Sequence, residues 1–514
     1  MSKTIIIIGA GLAGLSAVLQ AAENGCNVKL VSSLPSERAQ SVMAEGGINA
    51  ALNTKDENDS PEEHFTDTIK AACGLADPNA VWGMTQAAPE LVHWLLKLGV
   101  KFNMSGYDDV DLRNFGGQKK KRTAFAQSDT GKQIMTAMID AVRRKEASGM
   151  VERFSHHSFL TLRLCGNICC GCVIRDEYSQ ETVELPGDAV IVATGGMHGL
   201  FGNTTGSLSN TGEVTAELFR LGVPLANGEM IQYHPTTVKC GGKRMLISEA
   251  ARGEGGRLFA MKDGKQWYFM EEKYPELGNL MPRDITAREI WKVSHESEVF
   301  LDMTEISEEI ISNKLSGLAD DCMTYLHKDI RKEPVSVLPG IHYFMGGILV
   351  DEQHRTPIQN LCAAGECCAQ YHGANRLGGN SLLGALYGGR VAAKSACEQA
   401  DVVDLSCATQ IDFPPASQIS EIKQLNKVMQ ETMGVVRNEN TLLNGIQTVQ
   451  ALTGNLPLLG MAVLKSALAR KESRGAHWRE DYPKSNDDDY LKTTVARFDG
   501  KQIQISFVPV PERR

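Results

Sequence analysis

Five side chains that could bind an anion stand beside glycine-rich turns of an otherwise acidic chain. They are His234, Arg252, Arg283, His342 and Arg376. The chain has 514 residues, with 53 Lys and Arg against 62 Asp and Glu, so its formal net charge is −9. Guanidinium groups bind carboxylates through two parallel hydrogen bonds, and imidazoles add further donors. If the fold brings the five together, they would suit a small substrate with two carboxylates.

Each of these residues taken alone also has a structural explanation. A histidine before a proline, such as His234, can cap a loop, and an arginine in a loop usually faces water. A binding site therefore requires four polar, glycine-rich segments to meet in the fold. These segments are residues 232–236, residues 248–256 with 282–284, residues 342–347, and residues 365–366 with 372–382.

A nucleotide-binding pattern at the N-terminus would position the rest. Four isoleucines at residues 5–8 predict a buried strand, followed by a helix over 15–24 and a second strand over 28–31. Gly9, Gly11 and Gly14 match G-x-G-x-x-G in this strand–helix–strand context. Gly9 would form the turn, Gly11 would admit a pyrophosphate to the backbone N–H groups, and Gly14 would allow close helix packing. Ser32 stands where an acidic partner for a ribose is expected.

The order of elements predicts a doubly wound α/β domain interrupted by an insertion. A second apolar strand, residues 189–192, ends at Ala193, Thr194 and Gly195, as expected where a dinucleotide binds a parallel sheet. Few such signals occur over 228–344, and they return from 345. We therefore expect a nucleotide-binding domain in two parts (1–227 and 345–405), a domain inserted at 228–344, a helical domain at 406–484 and a tail at 485–514.

Composition excludes several classes of protein. The acidic balance argues against nucleic-acid binding, and no apolar run is long enough to span a bilayer. Thirteen cysteines without a secretory signal predict reduced thiols in the cytoplasm. Cys169, Cys170 and Cys172 lack a fourth metal ligand at suitable spacing and are predicted to be buried strand residues, so no metal site is expected. The basic run at 119–122 is predicted to be a solvated face, with an anion-steering or docking patch as the alternative.

The chain resembles the flavoprotein subunit of the fumarate reductase/succinate dehydrogenase family, a group that includes L-aspartate oxidase. The resemblance covers nearly the whole chain. Its motifs are the glycine pattern at 9–14, residues 44–47 with Gly46 and Gly47, residues 193–196, the four segments above and residues 470–477. It implies a Rossmann-like FAD-binding domain with an inserted α+β capping domain and a C-terminal helical domain.

The resemblance also implies roles for individual residues. In the reductive direction, flavin N5 gives a hydride to fumarate and Arg283 protonates the other carbon, while Glu249 and Arg252 resupply the proton. The resemblance assigns the binding of the two carboxylates to His234, Ser248, His342 and Arg376, and the binding of the flavin to Glu366, Ser381 and Leu382. Because the pKa of arginine exceeds about 12, Arg283 can act as an acid only if its proton is replaced almost in step.

Two departures from the family pattern affect the expected attachment of the flavin and the expected substrate. Ser41 stands near the place where many quinone-linked members carry a histidine bonded to flavin, so FAD is expected to be bound noncovalently. Noncovalent binding would favour fumarate reduction over succinate oxidation. Phe115 stands where L-aspartate oxidase typically has a glutamate for the substrate ammonium, and a phenylalanine there resembles the fumarate/succinate branch. The structural alternative for Phe115 is core packing.

The leading interpretation is therefore a fumarate reductase flavoprotein subunit. L-aspartate oxidase, a reductase of another unsaturated acid, and a flavin-carrying subunit without its own activity remain alternatives. The chain has no haem motif and no ferredoxin-type cysteine spacing. Electrons would then come from a partner, for which an iron–sulfur subunit is the expected candidate. We expect a cytoplasmic location, with attachment to the inner membrane through partner subunits as the alternative.

Overall fold

The structure is a computed structural model that describes residues 2–106, 109–399, 413 and 418–514. Its strands are β1 (Thr4–Ile8), β2 (Asn27–Ser32), β3 (Ile48–Asn49), β4 (Leu112–Arg113), β5 (Thr123–Ala124), β6 (Val151–Ser155), β7 (His157–Cys165), β8 (Ile168–Asp176), β9 (Thr182–Pro186), β10 (Ala189–Val192), β11 (Leu225–Ala226), β12 (Ile231–Cys240), β13 (Lys243–Leu246), β14 (Arg257–Lys262), β15 (Lys265–Trp267), β16 (Val299–Asp302), β17 (Val335–Ser336), β18 (Leu338–Phe344), β19 (Gly347–Leu349), β20 (Leu361–Ala363), β21 (Cys368–Ala369), β22 (Lys492–Phe498) and β23 (Ile503–Pro509).

The α-helices follow the same chain order. They are α1 (Leu12–Glu23), α2 (Pro61–Ala71), α3 (Pro78–Leu98), α4 (Thr130–Ala147), α5 (Glu213–Arg220), α6 (Glu249–Gly253), α7 (Phe269–Lys273), α8 (Arg283–Val293), α9 (Glu308–Lys314), α10 (Ser316–Asp321), α11 (Asn380–Gln399), α12 (Ile419–Thr432), α13 (Glu439–Val449), α14 (Asn455–Ala469) and α15 (Asp487–Tyr490).

A parallel sheet of five strands, in the order β20–β10–β1–β2–β6, forms the centre of the nucleotide-binding part. The isoleucines of β1 are fully buried, as expected for a strand covered on both faces. Helix α11 packs along α1, where the Ser16 hydroxyl donates to the Leu386 carbonyl at 2.6 Å. The predicted α/β fold class is confirmed, and the strands predicted at 5–8, 28–31 and 189–192 belong to this sheet.

Two small antiparallel sheets and helices α6–α10 form an α+β region within the predicted insertion. The sheets have the orders β15–β14–β16–β17 and β13–β12–β18. Leu258, Ile290 and Leu301 belong to the apolar core of this region. His234 lies within β12, and α8 begins at Arg283, so one predicted site residue lies on a strand and another at the start of a helix. The exact bounds of the predicted domains stay a prediction.

Helices α12–α14 pack together around a separate apolar core that includes Leu425, Leu442 and Leu459. The last strands, β22 and β23, form a hairpin that joins a sheet of order β21–β19–β11–β22–β23. The segment after 484, expected to be a simple extended tail, thus takes part in a sheet. The predicted boundary between residues 405 and 406 lies outside the described residues.

Among the described residues, eleven cysteines are free and Cys165 is not. Cys169, Cys170 and Cys172 are buried free thiols on β8, as predicted. Cys165 is disulfide-bonded, so the expectation that all thiols are reduced is wrong for this residue. Within the described ranges, no group of three or more His, Cys, Asp or Glu side chains could hold a metal ion. None of the described helices is both long and apolar enough to cross a membrane.

Candidate active site

A cavity of about 580 Å³ lies where the central sheet meets the α+β region. The predicted site residues line it, except Gly14 and Arg252. Those that line the cavity are Gly9, Gly11, Ser32, Ser41, Gly46, Gly47, Phe115, Ala193, Thr194, Gly195, His234, Ser248, Glu249, Arg283, His342, Glu366, Arg376, Ser381 and Leu382. The fold therefore brings the four predicted segments and the nucleotide motif to one place.

The glycine motif forms one end of the cavity. Gly9 has a φ of +110°, and a Cβ there would lie 2.2 Å from the Ala193 carbonyl oxygen. Gly14 lies behind the cavity wall, because a Cβ on it would meet the Gly9 carbonyl oxygen at 1.8 Å. Gly11 is the N-cap residue of α1, and Leu12 N donates to Ser41 Oγ at 3.2 Å. Gly9 thus lies in a turn that has no room for a side chain, Gly14 lies in a close backbone contact, and Gly11 lies at the start of the helix.

Two helix N-termini face the same cavity. Gly11 and Leu12 at the start of α1 and Ser381 and Leu382 at the start of α11 all line it. The partial positive charge of each N-terminus favours an anion or an electron-rich ring system. Glycines line one end of the cavity, and the N-termini of two helices face it. These residues fit a flavin dinucleotide.

Small residues and the half-buried carboxylate of Glu366 also line the cavity. A Cβ on Gly46 would meet the Phe115 ring at 2.9 Å, and Gly195 adopts a φ of +74°. Glu366 accepts a hydrogen bond from Phe344 N at 3.1 Å, and its Oε1 lies 3.6 Å from His198 Nε2. Glu366 is therefore held by the protein itself beside Gly196, where an added Cβ would meet Glu366 Oε1 at 2.6 Å.

The predicted acid and its partners form a continuous ionic chain. Glu249 Oε2 accepts hydrogen bonds from Arg283 Nε at 2.8 Å and from Arg283 Nη2 at 2.5 Å. Glu249 Oε1 lies 3.4 Å from Arg252 Nη2 and accepts from Gly116 N at 3.1 Å. Arg252, which does not reach the cavity, donates through Nη1 to the Asn279 carbonyl at 2.6 Å. The arginine at the cavity is thus linked through one carboxylate to a second, buried arginine.

Burial and neighbouring charges shift the pKa values of Glu249 and Arg252 in opposite directions. Burial opposes the charged form of Glu249, but Arg283 and Arg252 together hold its pKa below the usual value. Burial lowers the pKa of Arg252, and Glu249 partly offsets that effect. The Glu249 carboxyl group is therefore ionised at neutral pH and pairs with both guanidinium groups.

Two neutral imidazoles face each other across the cavity. The rings of His234 and His342 are 5.1 Å apart, centre to centre, in an edge-to-face arrangement. Burial, followed by the charge of Arg283, holds the pKa of both well below 6.5, so both are neutral at physiological pH. His342 Nδ1 lies 2.8 Å from Thr205 Oγ1, and His234 Nδ1 faces the backbone of Thr236. Within the part of the chain that the structure describes, neither Nε2 atom forms a hydrogen bond that would compete with a substrate.

Arg376 completes the cationic side of the cavity. Its guanidinium stacks 4.2 Å from the centre of the Tyr343 ring, and its Nε has no hydrogen-bond partner among the described residues. Burial, followed by repulsion from Arg283, lowers the pKa of Arg376 to about 9, which leaves it protonated at neutral pH. Ser248 is the N-cap residue of α6 and accepts from Ala250 N. A buried cation with a free donor is a strong position for a substrate carboxylate.

Sequence reasoning assigned no role to Gln232, although it quoted the segment. Gln232 is fully buried and accepts from Arg283 Nη1 at 3.1 Å. Its amide nitrogen donates to Asn375 Oδ1 at 3.0 Å and to the Arg376 carbonyl at 2.8 Å. Gln232 therefore ties the two cavity arginines to each other, a link that sequence spacing did not signal.

Phe115 and Glu45 both bear on the expectation that the cavity has no carboxylate to pair with a substrate ammonium. Phe115 is 2% exposed and belongs to the apolar core of the α+β region, yet its ring also lines the cavity. Glu45, which sequence reasoning passed over, lines the same cavity. Burial, followed by repulsion from Asp321, raises the pKa of Glu45 to about 8, so it is uncharged at neutral pH. The cavity therefore holds no free anion at this position to pair with a substrate ammonium.

Comparison with known proteins decides the family. Residues 4–382 match the family model of an FAD binding domain, and residues 452–513 match that of the fumarate reductase flavoprotein C-terminus. The chain is 38% identical to the succinate dehydrogenase flavoprotein subunit of Bacillus subtilis, over all of this chain and 98% of the relative. The chain belongs to the fumarate reductase/succinate dehydrogenase flavoprotein family. It is an FAD-dependent oxidoreductase.

Other members of this family are similar over their full lengths. The 8-methylmenaquinol:fumarate reductase flavoprotein subunit of Wolinella succinogenes is 32% identical, over all of this chain and 92% of the relative. Among solved structures, a mutant of the E. coli quinol fumarate reductase flavoprotein superposes with a TM-score of 0.90 at 27% identity, covering 99% of this chain and 97% of that one. The relatives from Bacillus subtilis and Wolinella succinogenes are both named as subunits.

Proposed function

We propose that the chain is the flavoprotein subunit of a fumarate reductase and reduces fumarate to succinate. The observation that carries this proposal is the ionic chain from Arg252 through Glu249 to Arg283, which ends in a cavity lined by cations and neutral imidazoles. FAD, when bound, supplies the hydride. The residues of the chain bind the dicarboxylate, polarise its double bond and deliver a proton.

Substrate binding follows from the charges in the cavity. Arg376 brings a protonated guanidinium to the cavity, and His234 and His342 bring neutral imidazole rings. Donors around both carboxylates withdraw electron density from the double bond and meet the charge that develops during reduction. Because these donors are held in place by the fold, no reorganisation is required when that charge appears.

Proton delivery depends on Arg283 being replenished. Its Nε and Nη2 both donate to Glu249 Oε2, so a proton lost from the guanidinium to the substrate carbon can be replaced through that carboxyl group. The proton on Glu249 is replaced in turn from Arg252, which faces the other oxygen. Each transfer occurs between hydrogen-bonded or nearly bonded atoms, the geometry that general acid catalysis needs.

The proposal includes noncovalent FAD and a partner protein. Residues 39–43 contain no histidine, and Ser41 is occupied with Leu12 N, so we propose that the flavin is held by noncovalent contacts alone. Electrons would arrive from an iron–sulfur partner subunit, because the described residues hold no metal-binding cluster. We propose a cytoplasmic location, with any membrane attachment made through partner subunits.

A second candidate is the oxidative direction. The 38% identical relative from Bacillus subtilis is named a succinate dehydrogenase subunit, which favours succinate oxidation. L-aspartate oxidase is disfavoured because Phe115 carries no charge and Glu45 is neutral. A reductase of another unsaturated acid would use the same donors, since the cavity volume by itself does not select one acid.

The test is anaerobic oxidation of reduced viologen by the FAD-loaded protein, with fumarate as the acceptor. We expect fast fumarate-dependent oxidation, and a lower rate of dye reduction with succinate. Arg283→Ala should lower fumarate turnover by about 10³-fold or more, since a positioned acid contributes roughly 10²–10⁴, while the flavin content is unchanged. Lys292→Ala, an exposed site on the same helix, is the control and should retain wild-type turnover.

Each result decides between the candidates. Faster dye reduction with succinate than viologen oxidation with fumarate would replace the reductase by a dehydrogenase. Turnover of L-aspartate, with none of fumarate, would overturn both. Full activity of the Arg283 variant would remove that residue from the role of acid. A yellow supernatant after acid precipitation supports noncovalent FAD, and flavin retained in the pellet contradicts it.

A further inference from the structure

Two thiols meet at the ends of α1 and α11 that lie away from the cavity. Cys26 follows α1 and Cys397 lies in the last turn of α11, and both are free cysteines. The two sulfur atoms are 3.1 Å apart, a contact in which Cys26 donates to Cys397. Cys26 is 5% exposed and Cys397 is half-buried, so the pair is reachable from solvent at one side.

The two helices that carry these thiols also form the cofactor cradle. Their N-termini line the cavity at Leu12 and Ser381, and they pack together along their lengths. A Cβ on Gly389 of α11 would lie 2.2 Å from the Ala13 carbonyl, so backbones approach closely at this contact. A covalent bond between the sulfur atoms would therefore join two elements whose relative position shapes the FAD site.

We propose that Cys26 and Cys397 form an oxidation site in which a peroxide converts the two thiols into a disulfide that ties α1 to α11. Cys397, the more exposed thiol, attacks the peroxide oxygen as a thiolate, giving a sulfenic acid and one molecule of water. The sulfur of Cys26 then attacks Cys397 and displaces a second water. With hydrogen peroxide, the two thiols lose two electrons and two protons, and the peroxide becomes two waters.

The surroundings of Cys397 set the rate of this step. Burial raises the pKa of Cys397 to about 12, which keeps the thiolate fraction small, while the ammonium of Lys3 acts against that effect. Lys3 Nζ donates to the Cys397 carbonyl at 2.7 Å, so the cation is fixed beside the thiol. We therefore expect slow oxidation that requires sustained exposure to peroxide, and reversal by a dithiol reductant.

The expected consequence is a more stable nucleotide-binding domain. The bond would close a loop between residues far apart in sequence, which restricts the unfolded chain without moving the folded one far. Because the sulfur atoms already touch, little strain is expected in the folded state. The oxidised protein should unfold at a higher temperature than the reduced protein.

The test compares the holoprotein before and after treatment with hydrogen peroxide. We expect a peptide pair containing Cys26 and Cys397 with a mass lower by about 2 Da than the two thiols, and an unfolding midpoint raised by about 2 °C or more. Dithiothreitol should reverse both changes. Cys397→Ser should abolish both, whereas Cys73→Ser, at a partly buried thiol elsewhere, should leave both intact.

Two results would overturn the proposal. If both thiols remain open to alkylation after prolonged peroxide, or pair with other cysteines, the site does not exist. If the cross-link forms but the midpoint of unfolding is unchanged, the tie between α1 and α11 has no stabilising role. The comparison of oxidised with reduced wild-type protein needs no variant, and none of its readouts depends on the substrate of the enzyme.

Discussion

Glu249 sits between two guanidinium groups, and its two oxygens are divided between them. One oxygen accepts from Arg283 and the other faces Arg252 and Gly116 N. A fully buried carboxylate is unfavourable unless its charge is matched and its hydrogen bonds are satisfied. Here both conditions are met by the residues to which we assign proton delivery, so the same contacts serve stability and the proposed chemistry.

Gln232→Leu tests whether fumarate turnover depends on the position in which Gln232 holds the Arg283 guanidinium. The substitution removes the hydrogen bond to Arg283 Nη1 and the link to Arg376, while the cavity keeps its volume. A hydrogen bond to a charged group contributes roughly 1.5–3 kcal/mol, so kcat for fumarate should fall about ten- to a hundredfold. Steady-state kinetics with FAD content measured in parallel gives the answer. Gln370→Leu, a buried glutamine outside the cavity, is the control, and equal losses in both variants would contradict a positioning role.

Glu45 predicts a pH dependence of stability. Its pKa in the folded protein is about 8, raised first by burial and then by Asp321, against an ordinary value near 4.5. Between these values the folded state holds a proton that the unfolded state has lost, so this contribution to stability is present below about pH 4.5 and lost as the pH rises towards 8. Denaturant unfolding from pH 5 to 8.5, at fixed FAD, should show a downward slope that Glu45→Gln reduces. Glu62→Gln, at an exposed site, should leave the slope unchanged.

At the scale of elements, substitutions at the start of α1 can distinguish an effect on folding from an effect on FAD binding. Gly11 has ordinary backbone angles, and a Cβ there meets Ser41 Oγ no closer than 3.6 Å. Gly11→Ala should therefore fold normally and still weaken FAD binding by about tenfold or more, because the methyl group occupies the approach to the helix N-terminus.

Gly9→Ala is the matched contrast. The positive φ and the 2.2 Å approach to the Ala193 carbonyl make a side chain incompatible with the fold itself. We expect little folded protein from this variant by circular dichroism, and a folded but flavin-free Gly11 variant by the same method with flavin fluorescence. Wild-type affinity for FAD in Gly11→Ala would show that the pyrophosphate does not approach this glycine.

At the scale of the whole molecule, one buried arginine joins the helical region to the last hairpin. Arg470 follows α14, pairs with Glu229 and Glu472 at 2.7 Å, and donates to the Lys492 carbonyl and Thr494 Oγ1 on β22. All three charged side chains are fully buried. Because β22 pairs with β11, this network connects the C-terminal hairpin to the strand at Leu225–Ala226.

Arg470→Ala should destabilise the protein by about 3–5 kcal/mol, the usual loss when one partner of a buried ion pair is removed. The carboxylates of Glu229 and Glu472 would be left buried without their cation. Urea unfolding of the holoprotein measures the loss, and Lys471→Ala, the exposed neighbour, is the control. A variant as stable as wild type would mean that water or Arg474 replaces Arg470, since Arg474 already contacts Glu472 at 2.8 Å.

Short-range features of the fold could be predicted from the chain alone. A run of four isoleucines forms a strand that is covered on both faces, and the glycines at 9 and 14 are required by contacts only a few residues away or by one neighbouring strand. Helices α2 and α3 each begin with a proline that follows a capping residue, Ser60 or Asp77, and this start signal can be read from the chain. The membership of histidines and arginines in one cavity was predicted only through the resemblance to a family.

Contacts between residues distant in sequence required the folded structure. Nothing in the spacing of Gln232, Arg283 and Arg376 indicates that one amide joins the two arginines. The protonation of Glu45 depends on burial and on Asp321, which is far away along the chain. The alternating pattern of β22 and β23 is too short to reveal its partner, β11. Local sequence sets the conformations that a segment prefers, whereas burial, pairing and pKa depend on which other segments pack against it.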